Sequence, residues 1–127
     1  MVASDHAPHG CVDKETEFEL AANGILGLQT TVPILLGLVH QKKLRMDRMI
    51  EALTTAPGKL LSHSISLREG AIADLTILDP DQEWTLTKDQ LASKSENSPF
   101  LQRTFRGSAV ATIIAGEVKW SKGEMKS

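Results

Sequence analysis

The apolar residues of this chain change period once, after Ile65, and that change limits what it can fold into. Before it, Val32, Leu35, Leu36 and Val39 recur at helical spacing, and Met46, Met49, Ile50 and Leu53 do so again. After it, residues 71–78 form a run rich in β-formers, ended by Asp79-Pro80-Asp81. Residues 83–86 read as a short strand anchored by Trp84, and 88–92 as one helical turn. Residues 110–115 and 118–120 flank Gly116-Glu117 as a β-hairpin. The class is therefore α/β, with helices in 1–66 and a small antiparallel β module in 67–127, ending in a charged tail.

Within the helical part, the first helix is predicted over 30–42, capped by Thr30 or Thr31, with Pro33 in its first turn. His40, Lys42 and Lys43 fall at its carboxyl end, where positive charge suits the helix dipole, so His40 needs no ligand role. A second helix is predicted over 45–55 with Asp47 in its first turn. Ala56-Pro57 closes it, and Pro57 opens a short helix carrying Leu60 and Leu61. His63 sits in a Ser-His-Ser turn and reads as a surface residue.

The chemistry concentrates at the amino end. Ser4-Asp5-His6-Ala7-Pro8-His9 places an aspartate and two of the four histidines in one short stretch. Apolar Val2 and Ala3 precede it, and Pro8 and Gly10 break regular structure after it. Residues 1–4 therefore read as a short buried strand whose carboxyl end delivers polar side chains into a cleft, as in α/β barrels. Asp and neutral His are first-rank zinc ligands and carry protons near neutral pH. Alone, the pattern fits a polar turn with solvated histidines equally well. Asn23-Gly24 is a turn signal, and Gly27 allows close backbone approach. Glu15, Glu17 and Glu19 read as a solvated face, on a segment that fits a helical turn or extended chain. Gly24-x-x-Gly27 lacks the spacing of a nucleotide fingerprint.

Asp5-His6-Ala7-Pro8-His9, Lys14, Phe18 and Gly24-Ile25-Leu26-Gly27-Leu28-Gln29-Thr30 together resemble dihydroorotases of the cyclic amidohydrolase family. The resemblance continues through Leu53-Thr54-x-x-Pro57, Ala73-Asp74-Leu75-Thr76-Ile77 and Ser93-Lys94-x-x-Asn97-x-Pro99-Phe100. It ends in Gly107-x-x-Val110-x-Thr112-Ile113. It implies the carboxy-terminal part of a (β/α)₈ barrel followed by a β-sandwich module that the two chain termini build jointly. A whole barrel takes about 250 residues, so 127 residues imply an incomplete one.

By the same resemblance, Asp5 is both metal ligand and general base/acid, with zinc as the cofactor. His9 binds the substrate's carboxylate and ring. Asn23 and Gly24 hold the substrate through their backbone, and His6 is structural. The family's His-x-His pair, further histidines, second acidic ligand and substrate arginine have no counterpart here. The implied reaction interconverts dihydroorotate and carbamoyl aspartate in pyrimidine synthesis. Two alternatives stand beside it: another cyclic amidohydrolase (hydantoinase or allantoinase), or a metal-free relic that packs against a fuller chain. The Asp-His-Ala-Pro-His loop with Asn23-Gly24 at its spacing favours dihydroorotase.

Composition narrows the partners. Fourteen basic and sixteen acidic residues leave a net charge of −2, which implies no nucleic-acid or anionic-membrane surface. The longest apolar stretch, 32–39, contains Pro33 and Gly37 and is too short for a bilayer. Cys11 is the only cysteine, which fits a reducing cytoplasm, and it reads as a loop thiol rather than a ligand. No leader pattern is present. The implied partners are a small-molecule substrate and either further copies of the chain or aspartate carbamoyltransferase.

Overall fold

The computed structural model describes residues 1–62 and 66–123, which leaves His63 and the last four residues of the tail outside the description. In chain order the elements are α1 (Cys11–Lys14), α2 (Leu28–His40), α3 (Met46–Leu53), α4 (Thr55–Leu60), β1 (Leu75–Thr85), a 3₁₀ turn (Lys88–Gln90), β2 (Thr104–Ile114) and β3 (Glu117–Ser121). The strands form one antiparallel sheet in the order β1-β2-β3. No helix among the described residues is long and apolar enough to cross a membrane.

The apolar stripe of α2 does what its spacing predicts. Leu35 and Leu36 join Met49 of α3 in the core, and Val32, Val39, Leu53 and Leu78 pack around them. The helix starts earlier than expected, at Leu28, with Gly27 in the cap position. Thr30 and Thr31 are not caps: their hydroxyls donate to the Gly27 carbonyl at 3.3 and 2.7 Å, inside the first turn. Pro33 consequently falls in the second turn, where its missing N–H leaves one intrahelical bond unmade. His40 Nε2–H donates to the Pro80 carbonyl at 2.8 Å, which accounts for that histidine without a ligand. The short helix α4 forms but begins at Thr55, which places Pro57 third in its first turn rather than at its start, and Leu60 and Leu61 at its end are exposed.

The β part departs from expectation in one instructive way. Asp79-Pro80-Asp81 does not end a strand; β1 runs through it, with the register against β2 broken between Asp79 and Glu83. Pro80 has no N–H to give the ladder, and Asp79 Oδ1 accepts the N–H groups of Asp81 (2.9 Å) and Gln82 (3.1 Å). The break signal thus becomes a bulge, and the two predicted strands are one. β1 also begins at Leu75 rather than at residue 71, leaving Ile72 exposed. Trp84 is the anchor expected: it stacks on Phe105 at 5.5 Å, and its indole N–H donates to the Gly107 carbonyl at 3.1 Å. The hairpin turn is Ala115-Gly116, one residue earlier than read, with φ of 51° and 82°, the positive pair a tight two-residue turn demands.

Residues 1–4 are not the buried strand expected. Met1 is 66% exposed and Val2 37%, and a single bond from Val2 N–H to the Ala52 carbonyl, 3.0 Å, ties them down. Strand-like pairing is limited to one parallel bridge, His6 with Ile25. No neighbouring strand among the described residues completes a ladder on either side.

Helix α2 lies directly on β2 at Gly107. A Cβ there would stand 2.5 Å from Leu36 Cδ1 and 2.9 Å from the Pro80 carbonyl oxygen, and the residue's φ is +97°. Gly107→Ala should therefore lower stability by about 1–3 kcal/mol. Gly37, inside α2 with open space around it, should gain up to about 1 kcal/mol as Ala through helix propensity. Urea midpoints of the two variants check this opposition. Equal effects at both glycines would contradict the packing described.

Candidate active site

The two loops that carry the sequence-predicted residues are brought side by side by that parallel bridge. Ala7 N–H donates to the Ile25 carbonyl at 2.9 Å, and Gly27 N–H donates to His6 Nδ1 at 3.1 Å. The second bond leaves Nδ1 unprotonated and the proton on Nε2, so His6 is a backbone clamp, as its structural reading requires. Immediately before it, Asp5 adopts φ +47°. That left-handed conformation costs a non-glycine residue energy, and Asp tolerates it better than most. It turns the chain between Ser4 and the bridge. The Asp5 side chain is exposed and has no hydrogen-bonding or ionic partner among the described residues.

Close approach explains both glycines facing this segment. A Cβ on Gly27 would lie 2.5 Å from the Ser4 carbonyl oxygen, and one on Gly24 would lie 2.6 Å from Ala7 Cβ. Gly24 also has φ +100°, so the Asn23-Gly24 turn is specified twice over. Asn23 is exposed. His9 is half-buried; its backbone N–H donates to the Ala7 carbonyl at 3.0 Å, and its carbonyl accepts the Ser95 hydroxyl. Its imidazole has no partner among the described residues. Asp5, His9, Asn23 and Gly24 thus sit on two adjoining loops.

Three residues that the sequence reading left without a role hold these loops in place. Lys14 Nζ donates to the carbonyls of Ala22 and of Gly24, the latter at 2.8 Å. Asn97 Nδ2 donates to the same Gly24 carbonyl at 2.9 Å, and the Asn97 carbonyl accepts Leu26 N–H at 2.8 Å. Ser95 is the third, through His9. Lys14 and Asn97 are among the residues that carry the family resemblance; Ser95 falls at an unmatched position between Lys94 and Asn97. No pattern of spacing marks the contacts of Ser95 and Asn97, which join residues more than 70 positions apart.

A cavity of about 200 Å³ lies behind the bridge, lined by His6, Pro8, Leu26, Thr30, Leu86 and Leu91 among others. Its walls are largely apolar, which does not fit a charged ligand. Cys11 is exposed and free. Among the described residues no group of three or more His, Cys, Asp or Glu side chains is arranged to hold a metal ion. A zinc site takes about four ligands, so the described residues do not make one by themselves.

No family model matches the chain. Curated relatives do. A dihydroorotase of Pelobacter propionicus is 43% identical over 123 residues, covering 96% of this chain and 29% of the relative. That of Geotalea daltonii is 46% identical over 118 residues, 92% of this chain and 28% of the relative. The chain is a stretch of the dihydroorotase family. It spans less than a third of the length of these dihydroorotases. Among solved structures, the L-hydantoinase (dihydropyrimidinase) of Arthrobacter aurescens superposes with a TM-score of 0.78 at 33% identity, covering 87% of this chain and 26% of that one. A D-hydantoinase superposes equally well, TM-score 0.78, at 17% identity, which bears on fold alone.

From the donor set, this chain should not hold Zn²⁺ tightly by itself. Equilibrium dialysis should find no stoichiometric metal at submicromolar free zinc. Stoichiometric binding that Asp5→Asn abolishes would contradict the geometry.

Proposed function

We propose that this chain supplies one side of the active site of a dihydroorotase, the enzyme that interconverts dihydroorotate and carbamoyl aspartate. The observation that carries the reading is the His6–Ile25 bridge, which joins the Asp5–His9 loop to the Asn23-Gly24 loop in a chain of dihydroorotase sequence. In the proposed arrangement the chain divides into barrel-derived residues 1–66 and a β module, 67–127, that forms part of a sandwich. The substrate is a small molecule. Location in the cytoplasm, and assembly with further copies or with aspartate carbamoyltransferase, belong to the same proposal.

Ring opening adds water to the amide carbonyl and breaks the C–N bond, so one proton must leave the water and one must reach the ring nitrogen. A carboxylate that does both acts as general base and then general acid. Asp5 suits that double role, because its carboxylate has no competing partner among the described residues and its backbone is held in a defined turn. The His9 imidazole, equally unengaged, can donate to the substrate's carboxylate. Asn23 and Gly24 would hold the ring through backbone groups, which is why Gly24 matters more than the Asn23 side chain. In the proposed enzyme Asp5 would also be one ligand of a zinc site completed by residues not in this chain; when bound, zinc supplies an acidified water.

Opening of a hydantoin ring is a second reading, favoured by the 33% identity to the L-hydantoinase. Both ligands are cyclic amides, and parallel assays with dihydroorotate and a hydantoin separate them.

The test is dihydroorotate hydrolysis in the completed enzyme, with metal analysis of each variant. Asp5→Ala should abolish turnover. His9→Ala should lower kcat/KM by about ten- to a hundredfold, the worth of a hydrogen bond to a charged group, with metal content unchanged. Asn23→Ala should be nearly silent, and Gly24→Ala should be strongly impaired. If His9→Ala lost its metal while Asp5→Ala kept metal and activity, the two roles would be wrongly assigned.

A further inference from the structure

The 95–97 turn belongs to the β half of the chain, yet its polar groups are directed at the two site loops. Ser95 is buried at 8% exposure and uses its hydroxyl twice: it donates to the His9 carbonyl and accepts Asn97 N–H at 3.3 Å. Asn97 then contacts the other loop twice, through its side chain to Gly24 and through its carbonyl to Leu26. The turn is itself braced from both sides. Ser95 N–H donates to Ser93 Oγ at 3.1 Å, Ser98 N–H to the Glu96 carbonyl at 2.7 Å, and Lys88 Nζ pairs with Glu96 at 2.5 Å. One rigid turn therefore holds His9 on one side and Gly24 on the other.

We infer that this turn is the gauge that sets the separation of the two ligand-binding loops, with Asn97 the positioning residue that fixes the Gly24 carbonyl. This rests on the dihydroorotase reading for the identity of the ligand, but not for the loop geometry. Asn97 acts through Gly24 and touches no reacting atom, so its loss should weaken ligand binding and leave the chemical step alone. The chemistry of the contact makes a sharp distinction. A carbonyl oxygen needs donors opposite it, and here they are the Asn97 amide nitrogen and Lys14 Nζ. Aspartate, nearly the same shape, would set a carboxylate oxygen against the Gly24 carbonyl, but Lys14 would pair with that carboxylate, so aspartate is compared with Lys14 replaced by Met. In that background, packing alone ranks the variants Asn, Asp, Ala; positioning by a donated hydrogen bond ranks them Asn, Ala, Asp.

The experiment compares the chain with its Asn97→Ala, Ser95→Ala and Ser95→Thr variants, and the Lys14→Met chain with its own Asn97→Ala and Asn97→Asp variants, by ¹⁵N-resolved amide exchange and chemical shift. Thermal melts establish that each variant is folded. Leu26 exchange should rise by about three- to tenfold in Asn97→Ala, the effect of one neutral hydrogen bond, and in the Lys14→Met background further in Asn97→Asp. The shift changes should be confined to residues 6–10 and 22–27. Ser95→Thr should keep the parent spectrum around His9, and Ser95→Ala should not. Unmoved amides in 22–27, or, in the Lys14→Met background, Asn97→Asp closer to Asn97 than Asn97→Ala is, would overturn the inference.

A second arm measures dihydroorotate hydrolysis in the completed enzyme. A KM raised about three- to tenfold in Asn97→Ala with kcat unchanged supports the inference, and an unchanged KM overturns it. If the completed parent enzyme does not turn over dihydroorotate, the proposed function fails, and the exchange data still decide the role of the turn.

Discussion

The two site loops have almost no secondary structure of their own, so their backbone groups must be satisfied by the rest of the chain. Residues 4–10 and 22–27 share one parallel bridge and nothing that extends into a ladder. A backbone polar group left unpaired away from water is costly. Here the carbonyls of His9, Ala22 and Gly24 and the N–H groups of Leu26 and Gly27 are met by Ser95, Lys14, Asn97 and His6. The loops keep their shape because the side chains of Lys14, Ser95, Asn97 and His6 and the main-chain carbonyl of Asn97 take the part that neighbouring strands would take.

Those partners are in turn positioned by packing. Gly107 lets Leu36 seat against β2, which fixes α2 on the sheet. The start of α2 carries Gly27, whose N–H orients His6, and His6 follows Asp5 directly. A parallel connection runs through Gln29, which donates to the Gln90 carbonyl at 2.8 Å and accepts Ala92 N–H at 2.9 Å. It ties the first turn of α2 to the segment leading into the 95–97 turn. The apolar contact sets the distance between the halves, and the polar contacts convert that distance into loop geometry. This is why a β module with no proposed chemical role contributes to the site.

What was legible in the sequence follows the same division. The stripe of α2 and the turn signal of the hairpin are local, and both elements appear, the helix two residues and the turn one residue earlier than read. Gly27 and Gly24 were legible because close approach and positive φ select glycine. Residues 1–4 misled because two apolar residues imply burial only when something covers them. Asp79-Pro80-Asp81 misled because a strand tolerates such a break when the proline sits in a bulge and the aspartate turns back on its own backbone. Lys14 and Asn97 could be matched to family motifs and Ser95 could not, and nothing local assigned any of them a partner. The contacts of Ser95 and Asn97 depend on how two halves of the chain dock, which no periodicity encodes. Asp5 and His9 stood out by residue type, while the strained backbone at Asp5 was visible only in three dimensions.

The central claim is that the site loops are held by the β half and have little stability apart from it. Native-state hydrogen exchange of the parent chain across low denaturant concentrations measures this directly. The amides of Ala7 and Leu26, bonded to Ile25 and Asn97, should be protected and should open with the same free energy and denaturant dependence as amides within β1 and β2. Exchange at Ala7 and Leu26 near the rate of an unstructured peptide, while the sheet remains protected, would contradict it.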